Sequence, residues 1–529
     1  MRRLALLLCS GALACSSRGR ASSTALDATT DAVSSYDARS EAIVDVAAPV
    51  DTAGDAVADA GGDGGAALPA IVCTVVASTL GELATALAAV APGSTVCLAD
   101  GTYTDANLVF NAVGTAARPI VVSAEHPGRA ILTGRTQISM GGAFATLQGF
   151  VIRGGQSLGT ALVELKNGTT FCTDCRVTEL AILDVDVGNA TDTKWVSLYG
   201  QRDRVDHCVF SGKTNPGTLL VVWRQSGRAD DDRIDHSLFA NRPPMGTNGN
   251  EAIRVGTGAE ASSDSRSVIE DNLFQSMSAD AEVISIKSGA NIIRHNTIRA
   301  SQGTLTLRNG RGSTVDANVI LADGVANAGG IRVIGPGHTV TNNYVEGVRT
   351  TSSARGGLSL VSGESSPGPG GYAQVTDALV AFNTVVDCDE SVIFGADANP
   401  LAPARVTFAN NLFAASRSSV VASGGIGLTA PTITGNIYFG APLGFAPSDG
   451  FRQVDALLMR GPDGLLRPSA GSPAIDAASA SVSVPTDIDG QTRSGVLDVG
   501  CDEVGAAGPT RRPLSRSDVG PLRYAITVP

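Results

Sequence analysis

Three observations predict an all-β protein that winds as a parallel β-helix. Over residues 248–343, short apolar runs alternate with polar residues and recur at a short, nearly regular period. Each of these runs is followed by a second run that carries an Asn near its centre. Aromatic residues are only 4% of the chain while glycines number 62, as expected for an interior of stacked aliphatic side chains with glycine at tight corners.

The Asn-containing run can be followed along most of the chain. Its central position falls at Cys208, Ser237, Asn272, Asn296, Asn318, Asn343, Asn383, Asn411 and Asn436. The gaps are 29, 35, 24, 22, 25, 40, 28 and 25 residues. Coils of two or three short strands, stacked about 4.8 Å apart, account for this spacing. Asn suits a corner because it tolerates left-handed backbone and its amide can bond to the next coil. An antiparallel β-sandwich, the alternative, predicts hairpin turns roughly every 8–12 residues.

Both ends of the chain differ in composition from the repeats. Residues 1–15 have the form of a signal peptide, in which Arg2 and Arg3 precede a short apolar run and Cys15 ends a sequence typical of lipoprotein cleavage. Ordinary secretion is the alternative, and the run is too short to span a membrane. Residues 16–68 contain nine acidic residues and almost no large apolar ones, which predicts a disordered tether. Much of the formal net charge of −12 belongs to this tether.

We expect one folded domain over residues 69–508 and a loosely ordered tail over residues 509–529. Thr79 and Glu82 have the spacing of a capping box, and apolar residues follow at helical spacing. A short helix here would cover the strand edge at the open end of the β-helix. Cys73 and Cys97 flank the helix, and an oxidising compartment would favour a disulfide between them.

The remaining cysteines could serve either metal binding or structure. Cys172 and Cys175, with Cys208 further along, could be imagined as a zinc site. In an exported chain a disulfide or plain burial is the better interpretation. The aspartates near the carboxyl terminus, such as Asp476 and Asp487, are read as turn residues rather than catalytic ones.

Lysine usage singles out one candidate catalytic residue. Of 39 basic residues only Lys166, Lys194, Lys213 and Lys287 are lysines, so a surface cation in this chain is normally Arg. Lys287 ends an apolar strand that begins at Glu282. Unlike Arg, Lys can lose its proton near other cations and act as a base. The alternative is a solvated residue at a strand end.

The residues around Lys287 favour the catalytic interpretation. Asn248, Asp280 and Glu282 offer hard oxygen ligands that suit Ca²⁺. Arg308 and Arg332 lie in the next two coils, where strand alternation places both guanidinium groups on the outer face. Successive coils would therefore bring acids, Lys and two Arg into one groove. A structural ladder of salt bridges is the competing explanation.

Four motifs stand in order in this part of the chain: Asn248-Gly-Asn-Glu251, Asp280-x-Glu282 followed by Lys287, Leu305-Thr-Leu-Arg308, and Gly329-Gly-Ile-Arg-Val-Ile-Gly335. Together they resemble polysaccharide lyase family six, which contains alginate lyases and chondroitinase B. The resemblance spans roughly residues 77–343 and implies a single-stranded right-handed parallel β-helix.

The resemblance also implies roles for individual residues. Lys287 corresponds to the Brønsted base of the family, and Arg308 corresponds to its catalytic arginine, often described as the acid. Binding of substrate would fall to Arg332, Asn309 and Glu251, and binding of Ca²⁺ to Asn248, Asp280 and Glu282. The chain departs from the family pattern with Asp280 in place of Glu, Asn309 in place of His, and Asn250 in place of Gly.

These residue types fit β-elimination at a uronate. The C5 proton is weakly acidic while the adjacent carboxylate is charged, so a cation on that carboxylate would stabilise the enolate-like charge. A neutral Lys could then remove the proton, and Arg308 could stabilise charge near the leaving oxygen. Because Arg is a poor proton donor, water or a Tyr that the sequence does not identify could share the last step.

The sequence therefore predicts an exported, surface-tethered or secreted lyase. The expected partner is an anionic polysaccharide, with alginate first and a dermatan-type glycosaminoglycan second, and no nucleic acid. Two other classes compete with this prediction. One is a non-catalytic β-helix that binds carbohydrate, and the other is a glycoside hydrolase, which needs a free pair of carboxylates.

Overall fold

The protein is described by a computed structural model over residues 68–225, 227–349, 355–446, 448–505 and 510–528. The expected signal peptide, the lipid-attachment residue Cys15 and the tether up to residue 67 lie outside these ranges. Within them the chain forms a parallel β-helix, because each coil adds one strand to each of three parallel sheets. The described part contains no helix that is both long and apolar enough to cross a membrane.

The strands of sheets 1 and 3 follow one another in chain order up the helix axis, and those of sheet 2 do so from Ala161–Asn167 onward, except for Thr170–Thr173, which pairs antiparallel with Ala161–Asn167. Sheet 1 contains Val75–Ala77, Thr95–Leu98, Ile120–Ala124, Ala145–Gln148, Arg176–Thr178, Arg204–Asp206, Arg233–Asp235, Val268–Glu270, Ile292–Arg294, Thr314–Asp316, Thr339–Thr341, Leu379–Ala381, Thr407–Ala409 and Thr432–Thr434. Sheet 2 contains Asn107–Val113, Arg135–Ala143, Gln156–Ser157, Ala161–Asn167, Thr170–Thr173, Lys194–Leu198, Leu220–Val222, Ile253–Val255, Glu282–Lys287, Gly303–Asn309, Ala328–Val333, Leu358–Val361, Glu390–Ala396 and Ser419–Ser423. Sheet 3 contains Gly101–Thr104, Ala130–Thr133, Val151–Arg153, Ala181–Leu183, Val209–Ser211, Leu238–Arg242, Leu273–Met277, Thr297–Arg299, Val319–Leu321, Tyr344–Glu346, Thr384–Val386, Leu412–Ala414, Asn436–Phe439 and Phe451–Gln453.

The predicted Asn ladder runs through the interior between sheets 1 and 3. The backbone N–H of each member donates to the side-chain oxygen of the member one coil further on, as from Asn296 to Asn318 at 3.0 Å and from Asn318 to Asn343 at 3.0 Å. The expected left-handed residue, however, is the one that precedes the Asn. Ala317 has a φ of 51° and His295 a φ of 55°. The corner is therefore turned one residue earlier, which leaves the Asn free to point into the core.

A capping helix and a disulfide close the amino-terminal end, as predicted. The helix Leu80–Ala88 begins where Glu82 N–H donates to the Thr79 hydroxyl at 3.2 Å. Its buried face, which includes Leu83, packs on the strand Asn107–Val113 and covers the first coil. The flanking disulfide is present, with the Cα atoms of Cys73 and Cys97 5.7 Å apart. The five other cysteines of the described residues, namely Cys172, Cys175, Cys208, Cys388 and Cys501, are free and buried.

Residues 510–528 of the carboxyl-terminal tail pack on the β-helix, whereas the sequence predicted a loosely ordered tail. An antiparallel pair, Leu458–Arg460 and Leu466–Pro468, follows the last coil. Residues 510–528 then run back along the outer face of sheet 3, where Val528 packs with Val151 and Leu238. Composition did not indicate this packing, because the apolar residues that the tail covers belong to distant coils.

Two buried aspartates occupy another ladder, at the entry to sheet 1. The Cys175 N–H donates to Asp203 Oδ1 at 3.0 Å, and the Asp203 N–H donates to Asp232 Oδ1 at 2.9 Å. Asn291 fills the corresponding position of a later coil and accepts from the Ser267 N–H at 3.1 Å. Burial raises the pKa of Asp203 and Asp232 well above the ordinary value, and their proximity adds to the shift for Asp203.

This ladder predicts that alkaline pH weakens the fold. The folded state holds the two protons more tightly than the unfolded state, so the contribution to stability is complete below the ordinary aspartate pKa of 3.8 and is lost as pH rises above it. We expect the melting temperature to fall between about pH 5 and about pH 9 and to fall less in Asp203→Asn. Thermal unfolding across this range checks the effect. An equal slope in the variant and in wild type would contradict it.

Candidate active site

The candidate site lies on the outer face of sheet 2, on three consecutive strands. In the strand Gly303–Asn309 the side chain of Leu307 enters the core, so Arg308 points outward, and Arg332 does the same on Ala328–Val333. The register shifts between Ile286 and Lys287, so Lys287 aligns with Asn309. This bulge leaves Arg308 as the unpaired residue, a position from which a side chain can be re-aimed.

Lys287 is held by a carboxylate beneath it. Its Nζ lies 3.5 Å from Glu251 Oε1, while Glu251 Oε2 accepts from the Thr218 hydroxyl at 2.7 Å. Arg254 Nη1 lies 3.8 Å from the same Oε2. Glu251 is fully buried, with 0% exposure, and the predicted direct contact with substrate stays a prediction. Its carboxylate orients the amine of Lys287.

Glu282 links the two arginines at the opposite side of the site. Its Oε1 lies 3.8 Å from Arg308 Nε and 3.4 Å from Arg332 Nη1. Its Oε2 accepts from the Ser285 hydroxyl at 2.5 Å. Burial raises the pKa of Glu282, and the Ser285 hydrogen bond and Arg332 oppose that shift. The carboxylate therefore fixes the spacing of both guanidinium groups.

The two arginines differ in their exposure and in the hydrogen bonds that their guanidinium groups make within the protein. Arg332 donates to the Tyr372 hydroxyl at 3.1 Å and pairs with Asp397, and its side chain is 10% exposed. The side chain of Arg308 is 20% exposed and lies over the Tyr372 ring, 4.2 Å from the ring centroid. Among the described residues, no group accepts a hydrogen bond from Arg308 Nη1. Arg308 Nη1 is thus a buried donor for which the described residues supply no acceptor.

Asn309 holds a loop rather than facing the groove. Its Nδ2 donates to the Gly371 carbonyl at 2.7 Å, and the residue is 5% exposed. The nitrogen of its amide helps to fix residues 364–376 over the site, while its oxygen has no partner among the described residues, so the predicted contact with substrate stays a prediction. This loop and its Tyr372 were missed from sequence. The signal that could have found them is the gap of 40 residues between Asn343 and Asn383.

The predicted calcium ligands form a donor set of hard oxygens. Asp280 and Glu282 are buried, at 5% and 7% exposure, and Asn248 is exposed on the preceding coil. Asp280 accepts from the Asn250 N–H at 2.8 Å, and among the described residues no cationic side chain forms a salt bridge with it. Burial raises its pKa. Two buried carboxylates and an exposed amide are oxygen donors whose chemistry fits Ca²⁺.

Asn250, which replaces a Gly of the family pattern, is not a competing ligand. Its Oδ1 accepts from the Gly217 N–H at 2.9 Å, and its Nδ2 donates to the Thr247 carbonyl at 2.7 Å. Both ends of its amide are therefore engaged in holding the loop before Glu251. Asn248 remains the amide that faces solvent.

Comparison with known proteins agrees with this architecture. The family model described as chondroitinase B matches residues 76–423. The alginate lyase AlyGC, of family PL6, is 28% identical with a TM-score of 0.73, and the match covers 86% of this chain and 59% of AlyGC. A mannuronic acid specific polysaccharide family 6 lyase from human gut microbiota is 27% identical with a TM-score of 0.64, covering 72% of this chain and 91% of that one.

Other comparisons bear on the fold alone or find nothing. The family PL6 lyase Pedsa3628 from Pseudopedobacter saltans is 21% identical with a TM-score of 0.61, covering 86% of this chain and 100% of that one, and it shares the fold. No curated protein matches the chain. The chain spans 59% of the length of AlyGC.

A parallel β-helix with a row of basic residues on one outer sheet is the architecture of the β-helical polysaccharide lyases, which are carbon–oxygen lyases. The family match covers more than half of the chain. The chain therefore belongs to polysaccharide lyase family six, the chondroitinase B family.

Proposed function

We propose that this protein is an exported lyase that cleaves alginate by β-elimination. The observation that carries the proposal is that Lys287 and Arg308 stand on adjacent strands of sheet 2, where the bulge leaves Arg308 beside the paired Lys287 and Asn309. The similarity to AlyGC and to the mannuronic acid specific lyase supports alginate as the polymer. A hydrolase is less well supported, because Asp280 and Glu282 accept hydrogen bonds within the fold.

Lys287 would act as the base. Glu251 lies below its Nζ, and Arg254 partly neutralises the charge of that carboxylate from 3.8 Å away. The side chain of Lys287 is 20% exposed, so part of it is open to solvent and to a sugar ring on the outer face of sheet 2. In its neutral form it would accept the C5 proton of a bound uronate. The electron pair left on C5 then forms the C4–C5 double bond as the C4–O bond breaks.

Arg308 would bind the substrate where negative charge increases. The Nε of Arg308 is fixed near Glu282, and the Tyr372 ring lies against the guanidinium plane. The orientation of Nη1 is therefore set before the substrate arrives. A donor that is already oriented stabilises developing charge at little cost in reorganisation. Arg332 supports this arrangement through Glu282 and Tyr372.

Asn248, Asp280 and Glu282 would hold Ca²⁺. When bound, the ion would supply positive charge that neutralises a uronate carboxylate. Asp280 has a shorter side chain than the Glu of the family pattern, and its oxygens already accept backbone N–H groups from Asn250 and Glu282.

One assay tests the proposed activity. Wild-type protein is incubated with alginate, and the ultraviolet absorbance of the unsaturated uronate is followed together with the number of new reducing ends. A joint increase in both supports the lyase. New reducing ends without absorbance would indicate a hydrolase, and retention on the polymer without either signal would indicate a binding protein. Dermatan sulfate in a parallel reaction tests the second substrate class.

Calcium should stabilise the protein as well as support activity. At a concentration of about 100 times its Kd, Ca²⁺ is expected to add about 2.7 kcal/mol to the free energy of unfolding. We expect the melting temperature of chelator-treated protein to rise on addition of Ca²⁺, and Asp280→Ala to lose the response. Asp264→Ala, which removes a partly exposed acid paired with Arg311, is the control. An unchanged melting temperature and full activity after chelation would contradict a calcium site.

We also propose that the protein is anchored by lipid at Cys15 and displayed at the outer membrane or cell surface. The acidic composition of residues 16–68 supports a tether that holds the β-helix away from the membrane. Cys15→Ala should release the protein from the membrane fraction. If the variant and wild type partition alike, the anchor is absent.

A further inference from the structure

A loop inserted between two coils covers the catalytic strands. It follows the strand Leu358–Val361, and it is fixed at its start where Asn399 Nδ2 donates to the Ser362 carbonyl at 2.9 Å. At its far side the Gly371 carbonyl accepts from Asn309 Nδ2 at 2.7 Å. Because Asn309 is the register partner of Lys287, the loop is anchored directly beside the proposed base.

The loop also reaches the coil that precedes Lys287. A Cβ atom placed on Gly258 would lie 2.7 Å from Gly370 Cα, so the two backbones are in close contact. Within the loop the Glu364 N–H donates to the Tyr372 carbonyl at 2.8 Å, which closes the turn. Tyr372 is therefore held from both sides by backbone contacts, and its side chain has a defined position.

The Tyr372 side chain contacts both arginines of the site. Its ring lies 4.2 Å from the guanidinium carbon of Arg308 and 5.2 Å from that of Arg332. Its hydroxyl oxygen accepts a hydrogen bond from Arg332 Nη2 at 3.1 Å. This oxygen is thus used as an acceptor, and no group among the described residues accepts the phenolic proton.

β-Elimination requires a proton for the leaving glycosidic oxygen, and Arg308 is poorly suited to supply it. A guanidinium remains protonated in proteins and gives up a proton far less readily than a phenol. The phenol of Tyr372 can donate, and the tyrosinate that would form is adjacent to two positive charges. Charge stabilisation and proton donation could therefore fall to different side chains of the site.

We propose that Tyr372 is the general acid of the elimination, which rests on the lyase activity proposed above. Lys287 Nζ takes the C5 proton, the C4–C5 double bond forms, the C4–O bond breaks, and the leaving oxygen takes the Tyr372 proton. The tyrosinate is held by Arg332 and Arg308. After the products leave, the ammonium of Lys287 returns its proton to solvent and Tyr372 regains one, so no net proton is consumed.

The matched variants are Tyr372→Phe and Tyr372→Leu. The Phe variant removes only the hydroxyl and keeps the ring that supports Arg308. We expect it to lower kcat on alginate by about 10²-fold or more while KM changes by less than about threefold. The Leu variant removes the support as well and should also raise KM. Melting temperatures close to that of wild type establish that both variants fold.

A second substrate separates an acid from a merely structural tyrosine. On a uronate oligosaccharide whose C4 substituent is 4-nitrophenoxide, the leaving group needs no proton. Tyr372→Phe should then react within about threefold of wild type, whereas Lys287→Ala should be inactive on both substrates.

Two results would overturn the assignment. One is a kcat on alginate for Tyr372→Phe close to that of wild type, and the other is an equal loss on both substrates. If wild type itself releases no unsaturated uronate from any polymer, the proposed lyase function fails instead. The failure of the acid and the failure of the enzyme are therefore distinguishable.

Discussion

Lys287→Arg is expected to lower kcat on alginate by about 10³-fold, as is Lys287→Ala. Arginine keeps the positive charge beside Glu251 but cannot be deprotonated in a protein, so it cannot take the C5 proton. Loss of activity in a variant that retains the charge separates a base from a residue that only attracts an anionic chain. The initial rate at which ultraviolet absorbance increases at saturating alginate measures the effect.

Lys194→Ala is the control for this prediction. Lys194 lies on the same sheet, pairs with Asp192 and has a side chain that is 15% exposed, but it is several coils from the site. It should keep kcat within about twofold of wild type. The affinity of Lys287→Arg for the polymer, measured by titration, should remain near that of wild type because the charge is retained. An active Lys287→Arg variant would remove Lys287 as the base.

The second large effect is expected for Arg308. Arg308→Lys should lower kcat by about 10²-fold, since removal of one oriented donor from an electrostatic site typically costs that much. The substitution keeps the charge but loses the planar group that lies over Tyr372 and the Nη1 that has no protein partner among the described residues. An amine is a compact donor and does not reproduce that geometry.

Arg311→Ala provides the comparison for Arg308. Arg311 follows three residues later in the chain, and its side chain is 68% exposed and lies 3.6 Å from Asp264. A similar loss in both variants would indicate a general effect of charge on polymer binding. A loss confined to Arg308 would support a specific role. If Arg308→Lys retains activity near that of wild type, the oriented guanidinium is not needed.

Much of the architecture was predictable because it is repeated. The apolar strands recur from coil to coil, the Asn ladder runs from Asn272 to Asn436, and the hydrogen bonds from Asn296 to Asn318 and onward confirm the predicted stacking. The helix Leu80–Ala88 and the disulfide between Cys73 and Cys97 were also predicted, because a capping box and a pair of flanking cysteines are local patterns.

The details of the site were less predictable. Alternation correctly placed Arg308 and Arg332 on the outer face, but the bulge beside Lys287 aligns that residue with Asn309. The resemblance implied contacts with substrate for Glu251 and Asn309, and the structure adds that both are buried, with Glu251 beside Lys287 and Asn309 bonded to the loop. Tyr372 was not identified, because its role depends on a loop that crosses between coils.

The sequence by itself determined the repeated β-helix, its amino-terminal cap and the residue types that resemble a lyase, since each is written in neighbouring residues or in a regular period. Only the tertiary structure decided which of those residues face the groove, which are buried beneath it, and where the loop and the carboxyl-terminal tail pack. These features depend on contacts between segments far apart in the chain. A one-residue bulge or a single inserted loop changes them without altering the period that the sequence displays.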